Sequence, residues 1–176
     1  GAIVGLYYLL RNKKMTTQKW NGEQVAWSGI GQHKDQINPC AYLTFMSAVA
    51  GNGQSVNPYL VEKITVGSTQ TYQAEISTGD KILCDATVQI LQEYLRNNVI
   101  ARYGDGNFPG LTVCAKTGTA QVGGEQKPNA MLAGFASDEE YPLAFIVCVE
   151  NAGYGSTVCI PIASKVLAAC KDALDS

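Results

Sequence analysis

The chain is poor in charged residues and contains a single histidine, His33. Only 16% of its 176 residues are charged and the net charge is −2. Binding to nucleic acid or to an anionic membrane requires a basic surface, so the sequence argues against both partners. Long apolar runs are also missing, because the longest, residues 1–10, is about half of the ~20 residues that a membrane-spanning helix needs. We therefore expect no membrane span in these residues.

The six cysteines form no recognisable metal site. No two of them are spaced as C-x-x-C, and structural zinc sites need clustered Cys and His ligands. We therefore expect neither a metal nor a cofactor. An even number of cysteines leaves disulfides open as the less favoured alternative. We favour free thiols, because four cysteines fall inside apolar runs, where a thiol behaves as a small hydrophobic side chain: Cys114, Cys148, Cys159 and Cys170.

Apolar periodicity predicts three helices. The first spans 39–50, with Asn38 as N-cap, proline at the first helical position and a glycine-rich stop after residue 50. The second spans 85–103 and buries the stripe Val88, Leu91, Leu95 and Val99. The third begins near Pro161 and buries the stripe Ile162, Val166, Ala169 and Ala173.

Short apolar and alternating segments predict four strands. They cover 59–66, 111–119, 131–136 and 143–149. We expect the last three strands to form one antiparallel sheet, because a short connection joins 131–136 to 143–149. The terminal helix (161–174) should cover one face of this sheet. The chain is thus predicted to be a single domain of the α+β class, in which helices cover an antiparallel sheet.

The most informative motif is the segment AKTGTAQ, residues 115–121, on the second predicted strand. Lys116 supplies a positive charge and the two threonines supply hydroxyls that can orient a carboxylate. Gly118 allows a ligand to lie against the strand, and the backbone N–H of Thr119 is a candidate oxyanion donor. Lys-Thr-Gly is the K-T-G element of serine acyl-transferases that handle penicillin. By itself the tripeptide is also compatible with an ordinary exposed strand.

The segments around the motif favour the acyl-transferase interpretation. AKTGTAQ is followed by MLAGFAS, by YPLAFIVCVENAGYGS and by PIASKVL, and it is preceded by AWSGIGQ, INPCAYLTFMSAVAGNG and NPYLV. In order and spacing these blocks resemble the penicillin-binding protein transpeptidases, and the form K-T-G-T-A-Q is similar to the high-molecular-weight class B members. The resemblance covers residues 25–176 of a partial transpeptidase domain and leaves 1–24 poorly assigned.

The resemblance implies a fold, an activity and a set of site residues. Members of this family cross-link peptidoglycan stem peptides as D,D-transpeptidases through an acyl-serine intermediate that β-lactams trap. It implies catalytic roles for Lys116, in the proton network around the serine of the family's S-x-N motif, and for Thr119, whose N–H forms half of the oxyanion hole. It further implies that Thr117, Gly118, Thr119 and Ala120 bind the substrate or antibiotic. The implied location is the bacterial cell envelope, on the outer face of the plasma membrane.

The nucleophile of the family is absent from these 176 residues, because no serine is followed by a lysine in the form S-x-x-K. Ser55-Val56-Asn57 spells S-x-N, but we interpret it as a turn, and we interpret His33 as a loop residue. Met131 replaces an aromatic residue that many relatives carry beside the cleft. We therefore expect this chain to be the carboxy-terminal half of a transpeptidase domain, inactive alone, with the amino-terminal part as its partner and with self-association of the isolated chain.

Two other functions remain open on the sequence. One is a non-catalytic module of the same fold that binds cell-wall peptide or a partner protein. The other is a β-lactam sensor or a β-lactamase relative, which shares the K-T-G strand but matches the flanking blocks less well. An upstream reading frame that encodes S-x-x-K would favour the transpeptidase, whereas an export signal directly upstream would favour the binding module.

Overall fold

The computed structural model describes residues 22, 23, 26 and 37–176. Our interpretations of AWSGIGQ, of His33 and of residues 1–24 therefore lie almost wholly outside the described residues. The helices are α1 (Pro39–Ala50), α2 (Asp85–Asn98) and α3 (Gly155–Leu174). The strands are β1 (Gln54–Val56), β2 (Lys63–Val66), β3 (Thr69–Gln73), β4 (Thr78–Lys81), β5 (Val113–Ala120), β6 (Asn129–Ala136) and β7 (Ala144–Val149).

In the described part of the chain, the main sheet has three antiparallel strands in the order β5-β6-β7. Lys116 lies opposite Ala133 in the first pair, and Gly134 lies opposite Phe145 in the second. The predicted pairing of these strands in one sheet is confirmed, and so is the α+β class. β6 is the central strand and is nearly all buried, because helices cover both of its faces.

Two small two-stranded sheets lie between α1 and α2 in the chain. β1 pairs with β4, and β2 pairs with β3. The predicted strand 59–66 is only partly correct, because β2 begins at Lys63 and all of its residues are exposed. The sequence did not indicate β1, β3 or β4. These strands are short, and β3 and β4 are polar, so they lack the apolar alternation by which a half-buried strand is recognised.

Helix α3 packs on one face of the sheet, as predicted, but through a different stripe. Its buried side chains are Cys159, Ile160, Ala163 and Leu167. The predicted stripe was wrong: Ile162 is 40% exposed and Val166 is 51% exposed. The helix begins at Gly155, with Pro161 inside it. Because α3 is apolar on several sides, periodicity alone does not determine which side meets the sheet.

Helices α1 and α2 cover the opposite face. Asn38 caps α1 as predicted, because its side chain accepts hydrogen bonds from the N–H groups of Cys40 and Ala41. The stripe predicted for the helix 85–103 is confirmed, because Val88 and Val99 are buried and Leu91 and Leu95 pack against the core. The helix begins at Asp85 as predicted, and its N-cap is Cys84, whose side chain accepts no capping hydrogen bond.

The predicted helix 85–103 changes its geometry before it ends. After Asn98 the backbone forms a π-helical turn, Val99–Tyr103. The N–H of Gly104 closes this turn on the carbonyl of Val99 at 2.7 Å, and Gly104 itself has φ 82°. Glycine is suited to this left-handed conformation because it has no Cβ. The wider turn moves Tyr103 into the core, where it is 9% exposed.

All six cysteines are unpaired. Cys114 and Cys159 are buried, whereas Cys148, which we also expected inside the core, is exposed. Burial raises the pKa of the Cys114 thiol, as expected for an apolar site. Within the described part of the chain, no helix combines the length and the apolarity needed to span a membrane.

Candidate active site

The K-T-G residues lie on β5, which is an edge strand of the main sheet. In an antiparallel strand, the backbone N–H and C=O groups of residues two positions apart point to the same side of the strand. The N–H of Thr117 donates to the Tyr103 hydroxyl at 3.0 Å, and the carbonyl of Val113 accepts from Arg96 at 3.0 Å. Both groups therefore point away from β6. Because Thr119 lies two residues after Thr117, its backbone N–H is directed to this outer edge too.

The Lys116 ammonium lies at the same edge. Lys116 is exposed, and its Nζ donates to the carbonyl of Thr117 at 2.6 Å. The side chains of Thr117 and Thr119 leave the strand on the face that α3 covers, whereas the Lys116 side chain leaves it on the opposite face. The outer edge of β5 thus combines a positive charge with outward-facing backbone groups.

Thr119 is joined to the start of α3. Its Oγ1 accepts a hydrogen bond from the N–H of Gly155, the first residue of the helix, at 3.2 Å. The helix approaches the strands very closely at this point. A Cβ added at Gly155 would lie 2.5 Å from the carbonyl oxygens of both Gly118 and Met131. Gly155 therefore permits the contact that holds Thr119 in place.

Gly118 and Ala120 differ in their surroundings. Gly118 lies opposite Met131 in the strand register, and a Cβ at Gly118 would meet the Met131 Cε at 3.0 Å. Met131 therefore fills the space beside the glycine on that face. Ala120 is exposed at the end of β5. Both residues lie on β5, as Lys116 does.

Three residues that the sequence analysis missed support this edge. Tyr103 contacts Thr117 by two hydrogen bonds, at 3.0 and 3.1 Å. Arg96 donates to Asp105 at 2.7 Å and also to the carbonyl of Val113, so it joins α2, the turn after Tyr103 and the start of β5. The hydrogen bonds from Arg96 to the Asp105 carboxyl hold the pKa of that carboxyl below its usual range. No local spacing pattern indicates these contacts, because the partners are far apart in the chain.

The buried serine of the S-x-N triplet has a structural role. Ser55 lies in β1 and is 1% exposed, so our interpretation of this triplet as a turn is corrected. Its Oγ donates to the carbonyl of Asp80 at 3.1 Å and links β1 to β4. Gly79 leaves room for this hydroxyl, since a Cβ there would collide with it. This environment explains the serine without any catalytic role.

Comparison with known proteins identifies the family. The family model of the penicillin-binding protein transpeptidase domain matches residues 6–168, which extends into the segment 1–24 that the motifs left unassigned. The chain is 26% identical over 160 residues to the peptidoglycan D,D-transpeptidase PbpA of Mycolicibacterium smegmatis, covering 82% of this chain and 31% of the relative. It is 28% identical over 113 residues to the probable peptidoglycan D,D-transpeptidase FtsI of Caulobacter vibrioides, covering 62% of this chain and 18% of the relative.

The fold is similar to that of a solved penicillin-binding protein. Penicillin-binding protein A of Mycobacterium tuberculosis, in a ceftriaxone acyl-enzyme complex, matches with a TM-score of 0.77 at 22% identity. The match covers 85% of this chain and 36% of that protein. At this identity the likeness establishes the fold. The chain therefore spans 31% of PbpA, 18% of FtsI and 36% of penicillin-binding protein A, and the family resemblance drawn from the K-T-G blocks is confirmed.

Proposed function

Because the chain belongs to the penicillin-binding protein transpeptidase family, we propose that it supplies the K-T-G side of an acyl-serine active site. The reaction is the D,D-transpeptidation that cross-links peptidoglycan stem peptides, and the protein is of the class B type. One observation carries the proposal. The Lys116 ammonium and the outward-directed backbone of Thr117 and Thr119 lie together on the outer edge of β5.

Each residue of the edge has a role in this proposal. Lys116 stabilises the charges that develop as the serine loses its proton and attacks the scissile amide. The N–H of Thr119 is one of the two donors to the oxyanion of the tetrahedral intermediate. Thr117 and Thr119 bind the carboxylate of the stem peptide or of a β-lactam, and Gly118 and Ala120 form the wall beside them. Donors that are already in place cost no reorganisation when the charge appears.

The serine and its base must come from outside these 176 residues, because the sequence contains no S-x-x-K. A serine hydroxyl is a weak nucleophile unless an adjacent base removes its proton. We therefore propose that the amino-terminal part of a transpeptidase domain is the partner of this chain, on the outer face of the plasma membrane in the bacterial cell envelope. The natural ligand is the peptidoglycan stem peptide, and β-lactams are substrate mimics.

The isolated chain should form no covalent adduct with penicillin G. Intact-mass spectrometry after incubation with the antibiotic should show the unmodified mass, because the edge residues can bind a carboxylate but cannot open the β-lactam ring. A protein that joins this chain to an S-x-x-K segment should gain the mass of one opened antibiotic. A stoichiometric adduct on the isolated chain would refute the proposal that the active site is divided between this chain and the amino-terminal part of the domain. A joined protein that never reacts with penicillin would instead favour the alternative function, a non-catalytic binding module.

The structure has an apolar surface on which such a partner can pack. Among the residues that the structure describes, β7 is the second edge of the main sheet, and a groove of about 290 Å³ runs between it and α3. Ile146 and Cys148 of β7 and Ile162 and Val166 of α3 line this groove. An apolar groove beside an unpaired strand edge favours pairing with a further strand. We propose that the amino-terminal part of the domain covers it.

The isolated chain should self-associate through this groove. Light scattering should show a mass that rises with protein concentration, because exposed apolar patches associate in water. Val166→Lys should reduce the association by placing a charge in the groove. Ile90→Lys is the matched control, since Ile90 is 50% exposed on α2 and Val166 is 51% exposed. A stable monomer at all concentrations, or equal effects of both variants, would contradict the prediction.

A further inference from the structure

We infer that Tyr103 is a positioning residue, whose hydroxyl orients Thr117 so that the threonine O–H points outward to a ligand carboxylate. The inference rests on the proposed function of the β5 edge. Tyr103 belongs to none of the sequence motifs, and its ring lies in the core. Its hydroxyl reaches the strand edge, where it contacts both the backbone and the side chain of Thr117.

The two hydrogen bonds are the basis of the arrangement that we propose for the hydroxyl protons. The Tyr103 oxygen accepts the Thr117 N–H at 3.0 Å, and it lies 3.1 Å from the Thr117 Oγ1. A tyrosine hydroxyl has one proton to donate, and a buried hydroxyl is nearly always hydrogen-bonded. The Thr117 Oγ1 is within reach as its acceptor, and we propose that it receives this proton. When Thr117 accepts this proton, its own O–H remains as a donor for a carboxylate outside the strand.

The turn that carries Tyr103 is held on three sides. The π-helical turn closes on Gly104, and π-helical turns occur frequently at functional sites. Arg96 binds Asp105 just beyond this turn and the carbonyl of Val113 on β5. The Asn107 side-chain amide donates to the Tyr103 carbonyl. These contacts fix the distance between Tyr103 and the β5 edge, so the hydroxyl is already in place before a ligand binds.

The substitution Tyr103→Phe tests the role of the hydroxyl separately from the role of the ring. The ring contributes to the core, and Tyr103→Phe retains it. The variant removes the acceptor of the Thr117 N–H and the donor to Thr117 Oγ1 together. The Thr117 hydroxyl then donates to whatever acceptor is near, including water. Ligands that present a carboxylate should lose affinity, whereas ligands without one should not.

The first experiment uses the chain itself and does not depend on any activity. Hydrogen exchange measured by NMR should show the Thr117 amide exchanging about tenfold faster in Tyr103→Phe, because one hydrogen bond is lost. The Leu132 amide on the central strand is the internal control for global stability, and Tyr94→Phe is the matched variant because Tyr94 is 63% exposed on α2. Unchanged exchange at Thr117, or equal acceleration at Leu132, would overturn the inference.

The second experiment uses the protein that joins this chain to an S-x-x-K segment. Stopped-flow acylation by penicillin G separates the initial dissociation constant from the acylation rate constant. Tyr103→Phe should weaken the initial binding by roughly 3- to 10-fold, the effect of one neutral hydrogen bond. Penicillin G methyl ester, which has no free carboxylate, should bind the variant and the parent alike. When Thr117→Val is already present, adding Tyr103→Phe should change the initial dissociation constant little.

The outcomes distinguish this inference from the proposed function. Equal losses for the acid and the ester, or additive losses in the double variant, would show that Tyr103 acts only through stability and would overturn the inference. A joined protein that penicillin never acylates would refute the proposed function, and the exchange experiment would still decide whether Tyr103 holds Thr117.

Discussion

Replacing Lys116 with alanine in the protein that joins this chain to the serine segment should slow acylation by penicillin by about 10²-fold or more, the usual effect of removing a group that assists proton transfer. The Lys116 Nζ is held at the β5 edge by the Thr117 carbonyl, 2.6 Å away. Its loss removes the positive charge of this edge, while the threonines and the Thr119 N–H remain. The rate constant of acylation, measured with a fluorescent penicillin, should fall more than the affinity.

Two further variants make this prediction specific. Lys63→Ala removes an exposed lysine from the β2 hairpin, and it should leave acylation unchanged. Lys116→Arg retains the charge but changes its shape and its donors, so it should recover only part of the rate. If Lys116→Ala reacted as fast as Lys63→Ala, Lys116 would have no catalytic role, and the proposed assignment of the K-T-G edge would be wrong.

Gly155→Ala should be the most destabilising single methyl addition at the site. The new Cβ would lie 2.5 Å from two backbone carbonyl oxygens, those of Gly118 and Met131. Neither can rotate away as the end of a flexible side chain can, so α3 must move off the sheet. Overpacking of this kind costs about 2–3 kcal/mol. For a chain of this length, that loss lowers the midpoint of thermal unfolding by roughly 5–10 °C.

The same displacement should reach the active site. The Gly155 N–H donates to Thr119 Oγ1 at 3.2 Å, so a shift of α3 lengthens this bond. Gly106→Ala is the matched control, because a Cβ at Gly106 has no heavy atom within 4 Å. Thermal unfolding followed by circular dichroism should show the lower midpoint for Gly155→Ala and not for Gly106→Ala. Equal midpoints for the two variants would mean that α3 does not approach β5 and β6 as closely as the structure indicates.

The sequence by itself predicted the features that depend on neighbouring residues. The Asn38 cap of α1 is a local signal, since the cap and the N–H groups it binds are two and three residues apart. The three strands of the main sheet were recognisable because each is an apolar run and the last two are joined by a short connection. The K-T-G edge was recognisable because its residues are consecutive. The family followed from the order of such local blocks.

Only the tertiary structure decided which side of α3 meets the sheet and which distant residues meet at the site. α3 is apolar on several sides, and its contact with the sheet selects Ala163 and Leu167 and leaves Val166 exposed. The contacts that build the site join residues 9, 14 and 36 positions apart: Arg96 with Asp105, Tyr103 with Thr117, and Gly155 with Thr119. No helical or strand period connects such positions. They meet because the packing of α2 and α3 against β5 brings them together, and packing depends on the whole chain.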